Sequence, residues 1–235
     1  MRRRALIGSP LLLAAPAVRA RGVIELVTAG ERPYAMAEGP EPGFVLTLVA
    51  EMFRLVGQQV VFRFLPGPEA EARAAALPEV AVAPLPRTAE REDHFLWAVA
   101  LFENPGGFAT LRCQPPRALA EARLLPRIAV LSGSVQEVHL RARGFTNLVP
   151  FSLWPDALAA LRAREVSAWF GELPRLRALV GPGAAFGPPV FAYPAWLAVN
   201  RASRDIPVLA LQEAHAALAA DGSLAKLLRP HLGWA

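Results

Sequence analysis

The chain has 235 residues, 54% of them hydrophobic, a formal net charge of +5 and one cysteine. That length can bury the core of one large or two small domains, while the lone Cys113 excludes an internal disulfide and a thiolate metal site. Arg2, Arg3, Arg4 and Arg19 supply four of the five net charges, so the chain beyond them carries only about +1 and a nucleic-acid partner loses its electrostatic basis.

Residues 1–20 read as a secretory signal. Three arginines precede an apolar run over 5–17, and Val18-Arg19-Ala20 ends in the small residue a signal peptidase prefers. The run is too short for a membrane span, and no cysteine follows it to carry a lipid. A periplasmic protein is expected, exported by the Sec or twin-arginine route.

Beyond the signal, Val23 to Thr28 alternates and is β-branched, predicting a strand. A Gly/Pro-rich loop containing Glu31-Arg32-Pro33-Tyr34 follows, then a helical pattern over 44–57 that stops at Gly57. Residues 59–65 predict a strand, 69–77 an Ala-rich helix and 80–83 a third strand, the start of an α/β lobe with a partly parallel sheet. Pro84 and Pro86 then predict a stiff turn. A short helix capped by Thr88 would bring Arg87 and Arg91, four residues apart, near one surface.

Residues 107–112 predict a strand leaving the first lobe, and Cys113 to Pro116 a stiff connector. A second α/β series follows: a strand at 127–131, the turn Ser132-Gly133-Ser134, a helix over 135–143, a strand near 147–150, a helix over 154–164 opened by Pro155, a strand at 166–170 and a short helix over 174–180. The segment 181–189 reads as a return connector, 195–200 as a strand, and 206–220 and 224–228 as closing helices. The expected fold class is therefore α/β with two lobes.

No phosphate loop, dinucleotide fingerprint or nucleophile elbow is present, and His94, His139, His215 and His231 lack metal-ligand spacing. No cofactor is expected. What remains suits a small zwitterion. Arg91 can grip a carboxylate through two parallel bonds. The Ser132–Ser134 turn either presents free amides to an anion or simply caps its helix. Glu172 either faces a ligand ammonium or caps the helix that follows it. Tyr34, Trp97, Trp154 and Trp169 are candidates for pocket wall or for core.

The order and spacing of these segments resemble the family 3 extracellular solute-binding proteins, the amino-acid-binding components of ABC transporters. The resemblance spans almost the whole mature chain. It is carried by Val23–Thr28 with Arg32-Pro33-Tyr34, by the helix between Gly43 and Gly57, by Arg87 to Trp97, by Ile128 to Ser134, by Ala157 to Trp169, and by Asp221-Gly222. It implies a type II periplasmic-binding fold, two lobes joined by two crossing strands with the C-terminal segment rebuilding lobe one, and a ligand held in the interlobe cleft by hinge closure.

By position it implies that Arg91 holds a ligand carboxylate, Glu172 the ammonium, and Ser132 and Ser134 further donors, with a permease as partner and the protein a monomer. The sequence departs from the pattern at Pro84 and Pro86, where Gly and Ser/Thr are usual, at Glu172 and Ser167 for Asp, and at Gly67 for Trp. Arg87 is expected to replace the missing Thr contact. Two other readings stay open on the same scaffold. One is a cyclohexadienyl-dehydratase-like enzyme using Glu31 or Glu172 as acid/base; the other is a soluble sensory subunit.

Overall fold

The computed structural model describes residues 22–233, and the expected signal lies outside the described residues. Strand β1 (Ile24–Thr28) pairs in parallel with β2 (Val60–Phe64) and β3 (Val80–Pro86). Helices α1 (Phe44–Leu55) and α2 (Gly67–Ala76) make the crossovers. These are the predicted opening elements, with β3 three residues longer than predicted. It runs through Pro84 and Pro86 because a bulge between Val82 and Leu85 takes up the missing donor before pairing with Trp196 and Ala195 resumes.

A 3-10 turn, Ala89–Arg91, leads into β4 (Phe95–Leu111), a single strand of 17 residues where the sequence predicted one only from 107. Glu103-Asn104-Pro105-Gly106-Gly107 reads as a break, yet it stays extended because its partner β9 (Phe191–Asn200) pairs with it from Phe95 to Gly106. Gly106 and Gly107 are needed there. A Cβ on Gly106 would lie 2.6 Å from the Phe191 ring, and one on Gly107 would lie 2.9 Å from Leu173.

The second lobe comprises α3 (Leu119–Ala122), β5 (Ile128–Leu131), α4 (Val135–Arg141), β6 (Leu148–Phe151), α5 (Trp154–Ala163), β7 (Ala168–Glu172), α6 (Leu173–Val180) and β8 (Ala184–Phe186). Strand β8 occupies what the sequence predicted as connector, paired to the end of β4. Helices α7 (Val208–Ala220) and α8 (Ser223–Leu232) return to the first lobe. The strand order is β2-β1-β3-β9-β4-β7-β5-β6, with β8 beside β4.

Four apolar clusters divide by lobe. Residues 24–102 and 195–232 pack together on the two faces of the first half of the sheet, whereas Phe108 and Ala109, still on β4, pack with β5, β7 and α5. The side-chain packing thus changes partners inside β4, before the connector at 113–116. Among the described residues no helix is long and apolar enough to cross a membrane.

The loop carrying Glu31 and Tyr34 is pinned to the start of α1. Phe44 and Val45 donate their backbone N–H groups to the Pro33 and Tyr34 carbonyls at 3.2 and 3.0 Å. Gly43 makes this possible: its φ is +94°, and a Cβ there would lie 2.5 Å from the Tyr34 carbonyl oxygen. We predict that Gly43→Ala costs about 3 kcal/mol, from backbone strain plus an overlap that no side-chain motion relieves. A urea midpoint unchanged from wild type would contradict it.

Candidate functional site

Where the crossing strands leave lobe one, the two lobes enclose a cavity of about 210 Å³. Its first-lobe wall is Glu31, Tyr34, Pro84, Pro86 and Arg91. Its floor is Asn104, Tyr193 and Ala195, and its second-lobe wall is Leu131, Gly133 to Gln136, Trp169 to Glu172, Arg175 and Leu176.

The floor is a continuous polar chain. The Tyr34 hydroxyl donates to Asn104 Oδ1 at 3.1 Å, Asn104 Nδ2 donates to the Tyr193 hydroxyl at 3.1 Å, and that hydroxyl donates to Glu172 Oε1 at 2.5 Å. Gln136 Nε2 adds a donor to Tyr193 at 3.4 Å. Every polar group along this chain has a partner, as enclosure demands. Burial and the nearby Glu172 carboxylate hold both phenols well above the usual tyrosine range, so they remain neutral donors.

Above the floor lies Arg175, with only 12% of its side chain exposed. Its Nε is 2.8 Å from Glu172 Oε2, its Nη2 meets Glu31 of the other lobe, and its guanidinium lies 5.9 Å from the Tyr34 ring centroid. The Nε contact is ionic in character, since that N–H has no hydrogen-bond partner of good geometry. Burial alone would lower the basicity of Arg175, but the two carboxylates reverse the effect and hold it firmly protonated.

Arg91 occupies the rim. Its Nε donates to Glu71 Oε1 at 2.8 Å, its Nη2 lies 2.8 Å from Glu71 Oε2, and its Nη1 donates to the Pro86 carbonyl at 3.3 Å. The fork is thus engaged bidentately by a carboxylate of the same chain. Arg91, Glu31, Pro84 and Pro86 also line an adjoining recess that includes Glu71 and Ser132.

No protein-family model matches this chain, and no curated protein does. Solved structures do. An ancestral arginine-binding protein bound to arginine superposes with a TM-score of 0.71 at 17% identity, over 90% of this chain and 98% of that one. A histidine kinase sensor domain with similarity to periplasmic binding proteins gives 0.74 at 17% identity, over 90% and 96%. The glutamate-bound GluR0 ligand-binding core from Nostoc punctiforme gives 0.71 at 16% identity, over 88% and 98%. The chain has the type II periplasmic-binding-protein fold.

Within this periplasmic-binding fold, the sequence-derived candidates separate. Arg91, Glu172, Ser134, Tyr34 and Glu31 line the cavity; Ser132 lines only the adjoining recess. Arg87 does neither. It pairs with Glu92 and lies 5.5 and 5.6 Å from the Trp97 and Trp196 ring centroids, so the expected surface shared with Arg91 does not form. Trp169 lines the cavity and is core at once, whereas Trp154 is partly exposed beside a separate recess.

Glu172 does not cap α6 with its side chain; it turns to Tyr193 and Arg175. Ser134 is a true cap, accepting from Glu137 N–H at 3.2 Å, and the Glu137 carboxylate folds back to accept from Gly133 N–H at 2.8 Å. Of the three turn amides expected to meet an anion, Gly133 N–H is thereby taken by the helix's own residue, and Ser132 and Ser134 N–H donate to the Phe151 and Leu131 carbonyls at 2.8 and 3.2 Å. Asn104, Gln136, Arg175 and Tyr193 were missed. Only the Glu172–Arg175 spacing of three offered a local signal.

The two phenols give a pH prediction. Their native pKa values lie above those of the unfolded chain, so the stability they contribute is complete below about pH 10 and is lost as pH rises further, because the unfolded state sheds those protons first. Urea midpoints should fall between pH 9 and 11, and Tyr193→Phe should flatten that fall. An equal slope in the variant would exclude Tyr193 as a source.

Proposed function

We propose that this protein is a periplasmic solute-binding protein, delivered by residues 1–20, that holds a small polar solute, an amino acid or related acid, between its lobes and passes it to the permease of an ABC transporter. The observation that carries the reading is the cavity at the crossing strands, walled by charged side chains from both lobes. Two of the named structures hold arginine and glutamate in the same fold, and a shared fold sets the place of a site while its residues set the ligand. Lobe one is taken as 21–111 with 191–235 and lobe two as 112–190, and the core packing favours a hinge within β4 and β9 near Asn104 and Tyr193.

We read the protein as a monomeric binder without cofactor or nucleic-acid partner, not as an enzyme. Glu172, the residue best placed for acid/base work, is held by Arg175 and Tyr193 and has no second free carboxylate beside it. The sensory reading keeps one supporting observation, the likeness to the kinase sensor domain.

A panel of amino acids, hydroxy and oxo acids, and uncharged polar solutes tests the reading by thermal melting. A solute at a hundred times its Kd stabilises by about 2.7 kcal/mol. A folded protein that no panel member stabilises would remove the basis for solute capture.

A further inference from the structure

We propose that Arg175 selects the solute class: it fills from within the chain the place a ligand cation would take, so the cavity accepts small carboxylic acids that carry no ammonium group. This rests on the solute-binding reading above. A carboxylate on a cavity wall ordinarily offers itself to a ligand donor. Glu172 does not, because Oε1 receives the Tyr193 hydroxyl at 2.5 Å and Oε2 faces Arg175 Nε at 2.8 Å. The same guanidinium also takes Glu31 from the opposite lobe.

An entering ammonium would therefore meet a fixed positive charge, with Glu172 engaged at both oxygens and Glu31 at one, and like charges juxtaposed at a binding site disfavour binding. Tyr193 does not offset this, since its hydroxyl oxygen already accepts from Asn104 Nδ2 and Gln136 Nε2, and Tyr34, kept neutral by burial, offers an ammonium only an uncharged acceptor.

The opposite end of the cavity is arranged to exchange a carboxylate. Arg91 holds Glu71 bidentately, and both side chains are about a quarter exposed, at 26% and 29%. Both also line the recess that joins the cavity at Pro84 and Pro86. A solute carboxylate can replace Glu71 with the same fork geometry, releasing Glu71 toward water without leaving Arg91 unpaired. Arg175 allows no such exchange, being more deeply enclosed and shared between two carboxylates. The two arginines thus have different roles, one exchangeable anchor and one resident cation.

The test is calorimetry on the whole protein with isosteric pairs that differ only in hydroxyl against ammonium: L-lactate and L-alanine, L-malate and L-aspartate, 2-hydroxyglutarate and L-glutamate. The hydroxy acid of the pair that fits should bind roughly a hundredfold more tightly. Arg175→Met should narrow or reverse that preference by freeing Glu172, while Arg175→Lys, which keeps the cation, should retain it. Equal or tighter binding of the amino acid by wild type would overturn the inference and leave solute capture standing. So would binding confined to uncharged panel members, or an undiminished preference in a folded Arg175→Met. If no solute of any class binds, solute capture falls and this inference with it. The wild-type pairs decide the matter even if Arg175→Met fails to fold.

Discussion

Replacing Arg91 with Leu is expected to weaken binding of carboxylate solutes by roughly 1.5–3 kcal/mol, the net worth of hydrogen bonds to a charged group. The fold should lose little. Arg91 and Glu71 are partly exposed, and pairs of that kind contribute about 1 kcal/mol or less once side-chain entropy and screening are counted. Binding and stability should therefore separate, which distinguishes an anchor from a structural brace.

Arg87→Ala is the matched control, four residues away in sequence and equally charged. It loses a contact with Glu92 and its place over Trp97 and Trp196, with solute affinity unchanged. Calorimetric titration of both variants, beside urea midpoints, checks the pair. Equal losses of affinity would mean that the charge of this turn acts at long range rather than through Arg91's fork.

The same two arginines show what the sequence could carry. Their spacing suggested a common surface, because a helix was assumed after Thr88. A short helix does begin there, with Thr88 at its N-cap position, but as a single 3-10 turn, which sends Arg91 back toward Glu71 and Pro86 and leaves Arg87 on the aromatic pair. Alternation and Gly stops sufficed for β1, α1, β2 and α5, where local pattern and packing agree. They failed for β4, because Asn104-Pro105-Gly106-Gly107 has the composition of a turn and is kept extended only by pairing with a strand ninety residues away. Asn104 and Tyr193 were lost with that strand, since their significance comes from meeting across it. Glu172 was legible as a cavity carboxylate. Its occupation was not, because no sequence position declares that a cation three residues on will turn inward rather than to solvent.

The resident cation is expected to hold the largest single share of electrostatic stability in the site. Arg175→Met leaves Glu172, 16% exposed, without its counterion, and removing one member of a largely buried pair costs about 3–5 kcal/mol. Glu172→Gln should cost less, because Arg175 retains Glu31 and the amide can still accept from Tyr193. The double replacement should recover part of the loss, since it removes the stranded charge, with a coupling energy of about 1–3 kcal/mol. Glu31→Gln supplies the contrast. Its side chain is 44% exposed, so water screens its contact with Arg175 and the loss should stay within about 1 kcal/mol. Urea unfolding of the four variants measures all of these together. If Glu31→Gln proved as costly as Arg175→Met, the stabilising contact would be the one between lobes, and the ion pair would act chiefly to hold the cleft shut. If Arg175→Met were the costly one, as its burial implies, the guanidinium belongs to the second lobe's wall whether the cleft is open or closed, and it is already in place when a solute arrives.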